Sequence, residues 1–336
     1  MIITKTPFRI SFVGGGSDLE AFYQQHQGAV LSTTIDKFTY ISSHGFFDEN
    51  SLRIKYSQTE TVNDVDQIKH PIFREALKRF NVAGAIEISS NSDVPAGTGL
   101  SSSSSFTVGL LHNLYTVRRK FAAKKQLAEE ACRIEIDILK EPIGKQDQYA
   151  AAFGGLNVIK FNPSGTVFVE PLHLKKDVYD ELQRSLLLVY VGKPRKASDI
   201  LDEQKKNVQS LRGFDVLRQM VELVWKLHEA LYDGRLDMFG KILHENWLLK
   251  KQLASKISDS YIDGIYKTAL ENGAVGGKLL GAGGGGFMLF YCEPKNQKKL
   301  RTALAAFKEM SFKFENEGSK VIYIGDEYYE PCYADK

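Results

Sequence analysis

Val94-Pro-Ala-Gly-Thr-Gly-Leu-Ser-Ser-Ser-Ser-Ser-Phe-Thr-Val-Gly-Leu-Leu111 is a glycine- and serine-rich loop that runs without a break into an apolar segment. Gly97 and Gly99 allow turns that a Cβ would forbid. Behind them, Ser101 to Ser105 place hydroxyls and unpaired N–H groups where a helix begins. Such an end carries partial positive charge and is suited to hold a phosphate. Phe106, Leu110, Leu111 and Leu114 recur at helical spacing, so the serines open a buried helix. A flexible serine-rich linker is the competing reading, but a linker does not continue into an apolar stripe.

Working outward, 336 residues are enough for a large core and for two domains. The composition is that of an ordinary globular protein. A net charge of +3 spread along the chain does not suggest a nucleic-acid-binding surface, and the densest group, Lys295 to Arg301, reads as a solvated helix face. Three cysteines (Cys132, Cys292 and Cys332) show no CxxC spacing, so neither a zinc site nor a disulfide framework is expected. A reducing, cytoplasmic setting follows as the expectation. The N-terminus leads directly into a strand with no signal-peptide pattern, and runs such as Leu186 to Val191 are too short to span a bilayer.

Strand-like segments are Phe8–Val13, Ala29–Thr34, Phe38–Ser43, Leu52–Tyr56 and Ala85–Ser90. Helical patterns fall at Asp18–His26, Pro71–Phe80, Ser101–Arg118 and Lys125–Leu139, with Ser17 and Glu20 at capping-box spacing. Leu156–Phe161 and Thr166–Val169 read as a hairpin about Asn162-Pro163-Ser164-Gly165. A strand at Ser185–Val191 opens a mainly helical second half. It ends in a strand–glycine–strand segment (Gly276 to Tyr291), a helix at Lys298–Met310 and a strand at Lys320–Ile324. The composition shift near residues 160–185 sets the expected division, with domains 1–172 and 173–336.

Two further glycine loops stand out. Arg9-Ile-Ser-Phe-Val-Gly-Gly-Gly-Ser-Asp18 follows a strand, and its glycines admit close backbone approach, for a ligand or for purely steric reasons. Gly281-Ala-Gly-Gly-Gly-Gly286 leads into an apolar strand. That feature and the lack of an acidic residue about 20 positions on argue against a dinucleotide fingerprint. Among carboxylates, Glu135 lies on a helix, and Asp147 sits among apolar and glycine neighbours that favour burial. Surface exposure is the commoner fate of both residue types. Phosphoryl transfer needs a carboxylate at the attacking hydroxyl, and magnesium needs hard oxygen ligands.

Taken together, Pro7 to Asp18, Pro95 to Ser103 and Lys278 to Gly286 resemble, in order and spacing, the three motifs of the GHMP kinases. This superfamily is named for its galactokinase, homoserine, mevalonate and phosphomevalonate kinases. Gly-Gly-Gly-Ser-Asp18, the Gly-Lys-Gln-Asp147-Gln-Tyr-Ala-Ala-Ala-Phe-Gly-Gly stretch, and Trp247 with Lys250 carry a narrower likeness. It is to the branch holding heptose 7-phosphate kinases and the kinase domain of fucokinase.

The resemblance implies an α+β fold of two domains with the active site between them. The first is a ribosomal-protein-S5-like α/β domain and the second a ferredoxin-like α+β domain. It implies that Pro95, Ala96, Gly97, Thr98, Gly99, Leu100, Ser101, Ser102, Ser103 and Ser104 wrap ATP. Ser103 and Glu135 become ligands of Mg2+, although a neighbouring serine could take that place. Asp147 becomes the base or orienter and Arg9 the charge stabiliser. Gly15, Gly16, Ser17, Asp18, Gly283, Gly284 and Gly285 fall on the substrate side. Galactokinases have Gly-Glu-His-Thr-Asp where this chain has Gly14-Gly-Gly-Ser-Asp18, which leaves room for a bulkier sugar.

Lys193 and Arg195 precede a helix and either grip a sugar phosphate or are solvated surface cations. The implied reaction is ATP- and Mg2+-dependent phosphorylation of C1 of D-glycero-D-manno-heptose 7-phosphate. A fucokinase or other free-sugar 1-kinase is one rival, and a catalytically silent sugar sensor is another. A decarboxylase on the same fold lacks support. The partners are ATP and a sugar phosphate, with neither nucleic acid nor membrane, and a homodimer is left open.

Overall fold

The computed structural model describes residues 1–192, 197–325 and 331–333. The chain opens with β1 (Ile2–Val13), α1 (Glu20–Tyr23), β2 (Gly28–Gly45), β3 (Leu52–Lys55), β4 (Thr59–Val62), α2 (Pro71–Arg79), β5 (Val82–Gly84) and β6 (Ile86–Ser92). Helices α3 (Ser102–Val117), α4 (Lys124–Cys132) and α5 (Gln146–Phe153) follow, then β7 (Leu156–Phe161) and β8 (Val167–Pro171). Next come α6 (Lys176–Arg184), β9 (Leu186–Tyr190), α7 (Ala197–Val208), α8 (Leu211–Tyr232), α9 (Leu236–Lys250) and α10 (Ser260–Glu271). The last elements are β10 (Gly276–Leu279), β11 (Phe287–Tyr291), α11 (Gln297–Ala303), β12 (Lys308–Glu309), β13 (Phe314–Glu315), β14 (Lys320–Ile324) and β15 (Cys332–Tyr333).

Nine strands form the first sheet, in the order β14-β1-β2-β6-β3-β4, with β13 and β7 also on β2 and β8 beyond β7. Its spine is the antiparallel pair β1–β2. The register jumps there from Pro7 opposite Phe38 to Phe8 opposite Ile35, so Asp36 and Lys37 bulge out. The two strands read separately at Ala29–Thr34 and Phe38–Ser43 are therefore one strand. The polar pair that looked like a break is the bulge, and it lets β2 pair with β7 at one end and β6 at the other. A second, antiparallel sheet runs β10-β11-β9-β12.

Period-two alternation on β1 sets the site's location. Phe8, Ile10 and Phe12 are wholly buried in a core shared with Phe239, Trp247 and Phe290 from the second half of the chain. The intervening Arg9 and Ser11 line a cleft. A separate core under the first sheet joins Phe73, Leu110, Leu111 and Ala151 of α2, α3 and α5. The division inferred between 1–172 and 173–336 falls between β8 and α6, and the chain crosses back over it with β13 and β14.

Three local expectations are corrected. Ser17 does not cap α1, whose N-cap is Leu19; its Oγ donates to the Gly14 and Ala29 carbonyls and so ties the glycine turn to β2. Only Glu20–Tyr23 of the stretch 18–26 is regular helix. The helix expected at Lys298–Met310 ends at Ala303, and Lys308–Glu309 pairs with β9 as an edge strand. The hairpin at β7–β8 forms as read, with Asn162 N–H donating to Thr166 O and Gly165 at φ +82°.

Candidate active site

Between the β1–β2 spine, α3 and the β10–β11 loop lies a cleft of about 330 Å³, within the usual size range of small-molecule pockets. Ser101 sits at φ +71°, ψ +35° and turns the glycine loop into α3, whose N-terminus has no side-chain cap. Ser102, Ser103 and Ser104 line the cleft at that end, beside Gly97 and Gly99. This leaves the positive end of a 16-residue helix facing the cavity. Pro95 and Ala96 are exposed, while Thr98 and Leu100 are buried and serve the loop itself. Thr98 Oγ1 donates to Pro95 O, and Leu100 O accepts from Arg9 N–H.

α4 widens after Cys132 into a π turn over Arg133–Ile138, a geometry often found at functional sites. It presents Glu135, which is fully buried. Ser103 Oγ donates to Glu135 Oε1 at 2.6 Å and Gln148 Nε2 to Oε2 at 2.8 Å. Burial pushes this carboxyl up to about 7, against the lowering by its hydrogen bonds from Ser103 and Gln148. A hydroxyl and a carboxylate converging at a helix N-terminus are hard oxygen donors of the kind magnesium takes. Among the described residues no group of three or more His, Cys, Asp or Glu side chains could hold a metal. Such an ion would complete its shell with phosphate oxygens and water.

Asp147 stands in the first turn of α5. Arg9 grips it bidentately, Nε to Oδ1 at 2.7 Å and Nη2 to Oδ2 at 2.9 Å, while Nη1 donates to Gly99 O at 2.8 Å. One guanidinium thus fixes the carboxylate relative to the glycine loop. Asp18, buried at the cleft edge, accepts from Gly16 N–H and Gln146 Nε2 on one oxygen and from Gln146 N–H on the other. It therefore holds the start of α5. Burial pushes its carboxyl up, and the bond from the Gln146 backbone opposes this. Gly15 and Gly16 line the cavity, whereas Ser17 is turned away from it into the loop.

The last glycine loop packs main chain against main chain. A Cβ on Gly281 would meet Gly99 Cα at 2.5 Å, and one on Gly99 would meet Leu280 O at 2.6 Å. Gly281 and Ala282 line the cleft, but Gly283 and Gly284 lie against Ile257, whose carbonyl accepts from Gly284 N–H. Gly283, Gly284 and Gly285 are not among the residues that line the cavity. Lys193 and Arg195 lie outside the described residues.

Sequence reasoning gave no individual role to several residues at or behind the cleft. Gln146, on the cleft wall, bonds Asp18, and the fully buried Gln148 bonds Glu135. Lys250 and Lys278 are buried at the cleft, and among the described residues Nζ donates to carbonyls: Leu279 and Gly281 for Lys250, Phe12 for Lys278. Burial lowers both, Lys250 to about 7 and Lys278 well below the usual lysine range, with Arg9 adding to each. The available signal was an ionisable residue inside the buried strand Gly276–Leu279.

Residues 68–155 match the GHMP kinases N terminal domain and residues 227–309 the GHMP kinases C terminal domain. The chain is 30% identical to a D-glycero-alpha-D-manno-heptose 7-phosphate kinase of Campylobacter jejuni, covering 95% of this chain and 98% of that protein. It is 27% identical to a galactokinase of Pyrococcus furiosus over 90% of this chain and 92% of the relative. The crystal structure of a Campylobacter jejuni protein superposes with a TM-score of 0.76 at 28% identity, covering 96% of this chain and 98% of that one.

Proposed function

The chain belongs to the GHMP kinases, with their two-domain fold of mixed α and β structure, and within that family of phosphotransferases we propose that it phosphorylates the C1 hydroxyl of D-glycero-D-manno-heptose 7-phosphate. It is a sugar kinase that uses ATP; the heptose, its 7-phosphate and the C1 position are our reading. Similarity along 95% of this chain to a heptose 7-phosphate kinase supports that choice, as does Gly15 on the cleft wall, where a Cβ would meet only Gln146 and Ser11 side-chain atoms at 3.6 Å.

The observation that carries the chemistry is the Arg9–Asp147 fork set beside the serine end of α3. In this reading the N–H groups of that end take the phosphate oxygens of ATP. Ser103 and Glu135 hold Mg2+, which supplies charge neutralisation to the phosphates. Asp147 keeps lone pairs beyond those Arg9 occupies, and one accepts the hydrogen bond of the attacking hydroxyl. Arg9 balances the charge that gathers as the proton leaves.

The test is a panel of sugars and sugar phosphates assayed for ADP release, with the product's position read by phosphorus NMR. Turnover of heptose 7-phosphate to the 1,7-bisphosphate is expected. Preference for free fucose or galactose identifies a free-sugar 1-kinase instead, and ligand binding without turnover identifies a sensor.

A further inference from the structure

Lys250 and Lys278 are the cleft groups that the reading above leaves without a task. Both side chains are more than nine-tenths buried. Neither has a carboxylate within ion-pair distance among the described residues, and Arg9, a cation that acts on both, is already paired with Asp147. Among the described residues, the carbonyl oxygens of Phe12, Leu279 and Gly281 are their hydrogen-bond acceptors. Burying an ammonium group without an anion is costly, and a methionine of similar length would fill either position without that cost. Ser11, next to Phe12 on β1 and lining the same cleft, has a buried Oγ with no hydrogen-bond partner among the described residues. Two buried lysines with no carboxylate partner and a hydroxyl with no hydrogen-bond partner, all among the described residues and at one cavity wall, describe a site built for an anion that arrives with the ligand.

We propose that Lys278 and Lys250, with Ser11, form a second phosphoryl-binding wall on the β10 side of the cleft, distinct from the serine end of α3. The wall receives a phosphoryl oxygen anion of the bound substrates, and the proposal rests on the kinase reading above. That anion belongs to the terminal phosphoryl of ATP or to a phosphate on the acceptor sugar. The chemistry at the lysines is the same in either case. The arrangement explains why motif three is drawn so tightly against motif two: Lys250 bonds the carbonyls of Leu279 and Gly281, the stretch that touches Gly99.

The test compares wild type with Lys278→Met and Lys250→Met. Removing a buried amino group that has no carboxylate partner should raise the Tm of the free protein by roughly 2–4 °C. The same change should lower kcat/KM about 10²–10³-fold, as for losing one preorganised charge-stabilising group. Thermal shifts then separate the two sources. If a non-hydrolysable ATP analogue loses its stabilising shift in the variants while ADP keeps its own, the anion is the terminal phosphoryl. If KM for the phosphorylated sugar rises instead, the anion is the acceptor's phosphate. A lower Tm with kcat/KM within about threefold of wild type would show the lysines to be structural hydrogen-bond donors and overturn the proposal. Failure of wild type itself to bind any adenine nucleotide would sink the kinase reading and not this inference alone.

Discussion

At the scale of single residues, the Arg9–Asp147 contact separates geometry from chemistry. Asparagine in place of Asp147 keeps the size and can still accept from Arg9, but it offers an NH2 where the acceptor hydroxyl needs a lone pair. Asp147→Asn should lower kcat about 10²–10⁴-fold and leave the affinity for an ATP analogue nearly intact, as measured by calorimetry alongside steady-state assays. Activity equal to wild type would show the role misassigned. Lys193 and Arg195 make a second residue-level prediction. Their double alanine variant should raise KM for phosphorylated sugar and leave KM for ATP unchanged; an unaltered sugar KM removes the assignment. The apolar and glycine neighbours of Asp147 suggested burial, yet its side chain keeps 24% exposure, and Glu135, singled out only through the family resemblance, is the fully buried acid. The contacts of Gln148 with Glu135, of Gln146 with Asp18 and of the two lysines with loop and strand carbonyls were not legible, since long-range packing makes them and spacing along the chain does not encode it.

At the scale of elements, the glycine loops divide into those that need glycine for the backbone and those that leave space for a ligand. Gly99 has φ +88° and a Cβ there would approach Leu280 O to 2.6 Å. Gly99→Ala should therefore push the two glycine loops apart, destabilise the protein by about 1–3 kcal/mol and weaken nucleotide binding. Gly15 has no such constraint: its nearest neighbours would be Gln146 and Ser11 side-chain atoms at 3.6 Å. Gly15→Ala should leave Tm nearly unchanged and raise KM for the sugar, because the methyl enters the cleft. Tm measurements paired with kinetics check both, and the reverse pattern would contradict the division. The sequence made the loops conspicuous but did not say which glycine met which backbone, because Gly99 and Gly281 come together only in the folded chain. The π turn that presents Glu135 was equally hidden, since its residues carry an ordinary helical pattern.

At the scale of the whole molecule, the cost of the cleft should appear in the pH dependence of stability. Burial foremost, and then Arg9, brings Lys250 down from its ordinary 10.5 to about 7. Unfolded chains hold that proton up to about 10.5 while folded ones release it near 7, so unfolding takes up a proton between these values. Stability should therefore rise with pH across that window and be lost as pH falls through 7. Lys278 acts in the same direction. The Tm advantage of Lys250→Met over wild type should be largest at pH 7 and shrink by pH 9.5; an advantage independent of pH would show that Lys250 is not buried as a charge.

Much of the architecture could be read beforehand: the strand–turn–helix order of the first half, the helical second half and the cleft framed by three motifs. The return of β13 and β14 to the first sheet could not, because pairing across nearly the full chain length leaves no local trace.

The central claim is that ATP is held at the serine end of α3 with Ser103 and Glu135 at its metal and Asp147 at the acceptor hydroxyl. A crystal structure with a non-hydrolysable ATP analogue and Mg2+ tests it most directly. The account predicts phosphate oxygens on the N–H groups of residues 102–104 and a magnesium ion bridging Ser103, Glu135 and the phosphates. A nucleotide bound elsewhere, or a serine run turned to solvent in that complex, would contradict it.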